Sequence, residues 1–216
     1  MTDYIIRRSP VVFDSTPAQI EVRDNWTIFL EYNDSGEGPW VIDLSHRARW
    51  DLQDREIDAF QPWGLNIPAA PGRCSYGNGL LINRMNRTQS SLWHLAGDKP
   101  ESPEGTAYTD VTDATVLLAL VGKHLAALVE KLTSLDFFSP LNEPPFLLQG
   151  PLAHVPCQCV MLEKSRDRSG ILFTCSRGYA QSMVHAVVDA GAEFGLRPAG
   201  EAAFHSWLAE IGKIED

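Results

Sequence analysis

YTDVTDATVLLALVGKHLAALVEKLTSLDFF, Tyr108 to Phe138, is the stretch from which the fold can be read. Asp110 to Asp113 is a polar turn. Thr115 to Leu120 is apolar and rich in strand formers, and Gly122 breaks the run. Leu125, Leu128, Val129, Leu132 and Leu135 then recur at steps of three and four, which lays one apolar stripe along a helix. The unit is strand, glycine turn, helix. A helix with a single apolar face needs a sheet to cover, so the stretch implies sheet and helix layers around a shared core.

A cruder copy of this unit lies upstream. Val41-Ile42-Asp43-Leu44-Ser45 parallels Thr109-Asp110-Val111-Thr112: an aliphatic or β-branched lead, Asp, an aliphatic residue, then a hydroxyl. Ala48, Trp50 and Leu52 continue as an alternating strand, and Ile57, Phe60 and Leu65 sketch a short, poor helix. Asp43 and Asp110 are 67 residues apart, too long a period for a solenoid, and we read a two-fold internal repeat. The chain divides accordingly into an arm, 1–19, a first half, 20–100, and a second half, 101–216. The polar segment Gly97 to Gly105 is the crossing between the halves.

With 216 residues, 44% of them apolar, the chain can fill one core or two small halves sharing one. A formal net charge of −10 argues against a nucleic-acid surface, which needs clustered Lys and Arg, while leaving room for a local basic pocket. No run is long enough to span a membrane. Met1 to Arg8 has two arginines but no apolar segment after them, so no secretory signal is read. Four cysteines do not make a disulfide scaffold at this length, and a reducing cytoplasm is expected.

Along the chain, Pro10 and Pro17 interrupt the arm. Ile20 to Tyr32 reads as one or two strands, with Trp26, Ile28 and Leu30 on one face. Gly72 to Gly79 reads as a turn region, and Gly79 to Met85 with Ser90 to Leu95 as a hairpin about Asn86-Arg87-Thr88-Gln89. Ser139 to Pro151 reads as a proline-rich loop. Pro156 to Leu162 and Ile171 to Cys175 pair as strands. Ser176 is placed to cap a helix whose apolar face is Ala180, Met183, Val184, Val187 and Val188. A last helix carries Ala203, Phe204, Trp207, Leu208 and Ile211 on one side, and the final acidic residues are expected to fray.

Asp43-Leu44-Ser45-His46-Arg47 resembles the DLSHR opening of the aminomethyltransferase-like folate-binding family, which includes the glycine cleavage T protein. Further pieces follow in order: Gly64-Leu65-Asn66-Ile67-Pro68-Ala69-Ala70-Pro71, Leu92-Trp93-His94-Leu95-Ala96-Gly97, Asp110 to Asp113 with its helix, and Asp189 to Leu196. Within the family the chain is most similar to the gamma subunit of heterotetrameric sarcosine oxidase. The resemblance covers roughly residues 40 to 208. It implies an α+β fold of two pseudo-repeated halves, each an antiparallel sheet with a covering helix, as in the folate-binding domain of the T protein.

The departures decide what function the resemblance implies. Relatives carry an acidic residue in a D-G-G-x-x-D-D-like strand near the folate nitrogen. The equivalent here, Asn78 to Arg84, offers Asn83 or Arg84, and an amide cannot take up a proton as a carboxylate does. The Y-T-G-E-x-G-(F/Y)-E motif is replaced by Lys164 to Leu172, with Arg168 and Leu172 at its acidic positions. The chain ends at Asp216, so the T protein's C-terminal barrel and its substrate contacts are expected to be missing.

The candidate ligand-binding residues are Asp43, His46, Arg47, Asn83, Arg84 and Arg168. Arg47 suits bidentate carboxylate recognition. Against this, Asp43 and Ser45 can serve to satisfy backbone groups at a strand entry, and Asp110 with Thr112 repeat the feature without His or Arg. Arg166, Arg168 and Arg177 flank a hairpin, where solvation is the ordinary reading. Cys157 and Cys159 face one way on a strand, but their spacing is not that of a zinc knuckle, and no metal site is expected. His94 and His185 sit among apolar residues and read as structural.

No catalytic residue is assigned. The resemblance implies a non-catalytic gamma-like accessory subunit packed against larger flavin-containing subunits of an oxidase or demethylase acting on N-methylated amino acids. A homodimer is a possible state in isolation. The alternative is a tetrahydrofolate-dependent methyl or aminomethyl transferase, with Asn83 replacing the acid, Asp43, His46 and Arg47 as helpers, and tetrahydrofolate as a possible cofactor. That alternative requires a deep, open central pocket, whereas the accessory reading requires a filled centre and an apolar patch outside.

Overall fold

The structure, a computed structural model, describes residues 5–212, so the expectation for the final acidic residues lies outside it. The fold is α+β. Sheet 1 contains β4 (Arg49–Gln53), β5 (Cys74–Gly77), β6 (Leu80–Arg84), β7 (Gln89–His94) and β8 (Tyr108–Asp110), in the order β5-β6-β7-β4-β8. Sheet 2 contains β3 (Trp40–Asp43), β9 (Thr115–Gly122), β10 (Phe146–Leu152), β11 (Val155–Glu163), β12 (Ser169–Ser176) and β13 (Arg197–Ala199), in the order β10-β11-β12-β9-β3-β13. Placing β4 to β7 on β9 to β12 in chain order, with β8 falling on β3, maps the first order onto the second, with β13 added at the edge. The internal repeat is therefore a repeat of topology. Each half lends its opening strand to the other half's sheet: β3 pairs antiparallel with β9, and β8 with β4.

The exchange takes place at two turns with matching hydrogen bonds. Oδ1 of Asp43 accepts the amide of Ser45 at 2.9 Å, and Oδ1 of Asp110 accepts that of Thr112 at 2.8 Å. The hydroxyl of Ser45 accepts the amide of Leu117 at 3.2 Å, and that of Thr112 accepts the amide of Arg49 at 3.0 Å. The amides of Leu44 and Val111 donate to the carbonyls of Leu117 and Arg49, both at 2.9 Å. Each Asp-x-hydroxyl pair thus shapes its own turn and then pins it to the partner strand.

Three apolar clusters follow from the alternation of the strands. Sheet 2 buries Val116, Leu118, Leu120, Met161, Ile171 and Phe173 on one face, beneath α1 (Leu125–Glu130) and α2 (Ala180–Gly191). Its other face joins Leu81 and Trp93 of sheet 1 and Phe204, Trp207 and Leu208 of α3 (Glu201–Ile211) in a filled centre. The far face of sheet 1 packs Trp50, Leu52, Ile82 and Leu92 against Ile57 and Ile67. The poor helix expected there is two short 3-10 turns, Ile57–Ala59 and Pro62–Gly64.

The anchor stretch folds as strand, turn and helix, but α1 is only six residues long. Leu132 remains buried and Leu135 partly so, held by the chain beyond the helix. Gly122 makes the turn at φ +118, where a Cβ would lie 3.0 Å from Pro39. Three expectations need correction. The loop Ser139 to Pro151 yields β10 from Phe146, because it pairs along its length with β11. The turn region after Gly72 contains β5, which pairs with β6. Ser176 makes no side-chain cap; a 3-10 turn, Arg177–Tyr179, leads into α2 instead. The arm packs Val11 and Phe13 into the core. It leads into a separate hairpin of β1 (Pro17–Arg23) and β2 (Trp26–Tyr32), which buries Trp26 and Ile28 and exposes Ile20 and Val22. Among the described residues no helix is long and apolar enough to cross a membrane.

Candidate functional site

Four pieces of chain meet at one end of the molecule: the tip of the β1–β2 hairpin, the turn after β3, the loop after β7, and the first turn of α3. Gly200, ahead of α3, lies so close to β2 that a Cβ would sit 2.1 Å from the Leu30 carbonyl oxygen. This contact sets the helix start against the hairpin.

Glu201 opens α3 and is only 1% exposed. Its position at a helix N-terminus favours a carboxylate. Its Oε1 lies 2.6 Å from Nε2 of His46 and 2.5 Å from Nη2 of Arg47, and Arg23 pairs with Oε2. Nη2 of Arg47 also donates to Nε2 of His205 at 2.5 Å. Burial alone would raise the Glu201 pKa; His46, Arg47 and Arg23 outweigh it and hold the carboxyl far below the usual carboxylate range. Burial lowers the pKa of Arg47, with Glu201 opposing, and burial also lowers that of His205. His94 falls to about 4 through burial and the charge of Arg47, so its ring is neutral at neutral pH.

Beneath this cluster lies Arg49, fully buried at the crossing of the two turns. It donates to the carbonyls of Arg47 at 2.6 Å, Thr112 at 2.7 Å and Thr115 at 2.9 Å, to Oγ1 of Thr115 at 3.0 Å, and to the Ser45 carbonyl at 3.3 Å. Burial lowers its pKa to about 10, which leaves it charged.

Of the six candidate residues, His46 and Arg47 come together, and the carboxylate they meet is the chain's own Glu201. Asp43, two residues before, turns to Ser45, whose hydroxyl donates to it at 2.6 Å. Arg84 closes the β6–β7 turn, donating to the Asn86 and Arg87 carbonyls at 2.7 and 2.9 Å and to Asp58 at 2.6 Å. The backbone carbonyl of Arg168 accepts Nε1 of Trp207 at 3.0 Å, while its side chain lies exposed in the turn before β12.

Asn83 is completely buried on the face of β6 that carries Leu81 into the filled centre, and its amide donates to Ser91 at 3.3 Å. These surroundings do not fit a folate: the residue at the acid's position is a sealed amide, and Leu172 at a second acidic position belongs to the same core. Cys157, Cys159 and Cys175 are free and buried on adjacent strands. Among the described residues no group of three or more His, Cys, Asp or Glu is placed to hold a metal ion.

The sequence reading missed Arg23, Arg49, Glu201 and His205. One signal for Glu201 was available: it stands three and seven residues before Phe204 and Leu208, on the apolar side of the last helix. A carboxylate on a buried stripe calls for cations, and the two nearest in space come from residues 23 and 47.

No family model matches the chain, and no curated protein matches it. Its structure is similar to a chain of the heterotetrameric sarcosine oxidase from Corynebacterium sp. U-96 in complex with pyrrole 2-carboxylate. The TM-score is 0.56 at 14% identity, covering 71% of this chain and 84% of that chain. At this identity the likeness is one of fold. The class thus defined is a two-sheet α+β fold similar to that of a chain in a heterotetrameric oxidase.

Proposed function

We propose that the chain is a non-catalytic, gamma-like accessory subunit of a sarcosine oxidase-type flavoenzyme that acts on N-methylated amino acids. The observation that carries this reading is Asn83. At the position where folate-using relatives need an acid there is an amide, fully buried and bonded to Ser91 in a packed centre. The transferase alternative requires that centre to be open and its acid to be ionisable, and neither condition is met at Asn83. The likeness of fold to a sarcosine oxidase chain supports the same assignment, because it extends over 84% of that chain. Ile20 and Val22, 54% and 58% exposed on β1, supply an apolar surface for a partner. The larger flavin-containing subunits are the partners on this reading, and the cytoplasm is the compartment. Four free cysteines accord with that.

The test has two arms. Calorimetric titration of the folded chain with tetrahydrofolate is expected to give no saturable heat. Tagged chain expressed in its source cells is expected to co-purify with a flavoprotein that oxidises N-methylglycine. Saturable one-to-one folate binding at micromolar strength, weakened by Asn83→Leu, overturns the reading.

A further inference from the structure

The β1–β2 hairpin leaves one strand edge open. Among the described residues β1 pairs with β2 alone, in a two-stranded sheet. β2 is covered on its other edge: the amide of Thr27 donates to the Arg7 carbonyl at 3.0 Å, and the amide of Arg7 donates to the Asn25 carbonyl at 2.6 Å. The first of these bonds fixes the direction of the backbone groups in β1. Thr27 turns its N–H away from β1, and Val22 stands directly opposite Thr27. Residues opposite each other in an antiparallel pair either exchange both bonds or exchange neither. The N–H and C=O of Val22 therefore point outward from the hairpin. So do those of Ile20, opposite Phe29 two residues along.

The side chains at this edge are apolar. Of the eight exposed large apolar residues among those described, five lie in the arm and β1: Ile5, Ile6, Val12, Ile20 and Val22. The apolar surface is thus concentrated where the edge is open. Edge strands are ordinarily blunted by charge, proline or a bulge. Here Pro17 and the register shifts about Gln19 blunt only the start of β1, and Ile20 to Arg23 continue in regular register. Outward backbone groups with exposed apolar side chains between them are what an added strand takes up.

A second copy of this chain is a poor occupant. Outward residues must meet outward residues. Only with Ile20 opposite the copy's Val22 do both residues of both chains pair, and that register sets Glu21 against its own equivalent. Like charges directly opposite are destabilising. A shift of two residues one way brings Val22 onto Ala18, within the register shifts; the other way carries Ile20 onto Asp24, beyond the end of β1. Glu21 is exposed, and Arg23, which lies 3.3 Å from it, also serves Glu201. The complement of Glu21 across the edge is a cation. We propose that an extended segment of a different protein adds to β1 as an antiparallel third strand, with apolar residues opposite Ile20 and Val22 and a lysine or arginine between them opposite Glu21. This deepens the accessory reading and rests on it only for which protein supplies the segment; the experiment below contains no flavoprotein, so its failure and that of co-purification are told apart.

The test is a titration of the isotope-labelled full chain, followed by NMR, with the end-blocked peptide Thr-Val-Lys-Val-Thr and with Thr-Val-Glu-Val-Thr as its charge-reversed control. The lysine peptide is expected to give saturable shifts at Ile20 and Val22 and to slow exchange of their amide hydrogens. The glutamate peptide is expected to bind at least fivefold more weakly. Glu21→Lys, an exposed change that spares the fold, is expected to reverse that order. Val22→Pro removes an outward N–H without breaking a bond to β2, and is expected to abolish binding. The proposal is overturned if the lysine peptide gives no saturable shifts at Ile20 and Val22, or if it binds folded Glu21→Lys as tightly as the parent. It is also overturned if the full chain forms a dimer that Val22→Pro dissolves, for then a second copy is the occupant.

Discussion

In the turn after β3 the hydroxyl of Ser45 takes the amide of Leu117, and in the turn after β8 the hydroxyl of Thr112 takes the amide of Arg49. The backbone scheme is the same on both sides, so Asp and the hydroxyl explain themselves as turn and pin. The difference lies in the side chains around that scheme. Leu117 adds to the apolar centre, while Arg49, its counterpart, binds carbonyls from both turns. His46 and Arg47 follow the first hydroxyl and reach Glu201; Asp113 and Ala114 follow the second, and Asp113 pairs with Arg7 at the surface. The comparison separates what the exchange of strands requires from what only one turn has acquired. A short motif such as DLSHR mixes both, and its conspicuous Asp is the structural part.

The largest effect is expected from Arg49→Met. It strands several buried carbonyls, so a loss of about 3–5 kcal/mol in urea unfolding is expected. Leu117→Met, at the matching position, should cost under about 1.5 kcal/mol. Equal losses at the two sites would erase the proposed asymmetry.

Next in size is Glu201→Gln. It leaves Arg47 and Arg23 facing a neutral amide in buried surroundings, and a loss of about 3 kcal/mol is expected at pH 7. The Glu201 pKa is depressed on folding from an unfolded value near 4.5, so its contribution is present above that pH and is lost as the pH falls below it. Acid unfolding of the variant should therefore be flatter below about pH 4.5 than that of the parent.

His94 acts in a different window. Its pKa falls on folding from 6.5 to about 4, so the unfolded chain binds the proton first and stability declines as the pH drops from 6.5 to 4. The decline attributable to this ring is about 2–3 kcal/mol. His94→Phe should remove that slope in unfolding curves taken at several pH values. An unchanged slope would mean that another group carries it.

The smallest effects sharpen the comparison most. Ser45→Ala and Thr112→Val each remove one pin between turn and partner strand, and each should cost about 1–2 kcal/mol. Near-equal losses would bear out the pseudo-symmetry in energy as well as in geometry. A much larger loss at Ser45 would indicate that the Arg49 cluster depends on that turn alone.

Local pattern made a good part of this fold legible. The strand, glycine and helix of the anchor stretch, the β6–β7 hairpin, the apolar face of α2 and the Asp-x-hydroxyl repeat are all written within a few residues. Their period states which side of an element is buried. β10 was unreadable because a segment containing Gly150 and Pro151 becomes a strand only once β11 lies beside it. α1 was overread because the leucine spacing persists after the helix stops, with Leu132 buried by the chain that follows. At the site, His46 and Arg47 stood out by residue type, and Arg49 did not, since an arginine in an alternating strand reads as a solvated side chain.

The sequence by itself determined the α+β character, the twofold repeat and most of the faces that enter the core, because each depends on neighbours in the chain. Only the tertiary structure decided that the opening strands are exchanged and that Asn83 is sealed. It also decided that the carboxylate met by His46 and Arg47 is Glu201, 155 residues beyond the histidine. These outcomes depend on which surfaces meet when two sheets close. Burial and charge then act on groups brought together by that closure, whatever their separation in sequence.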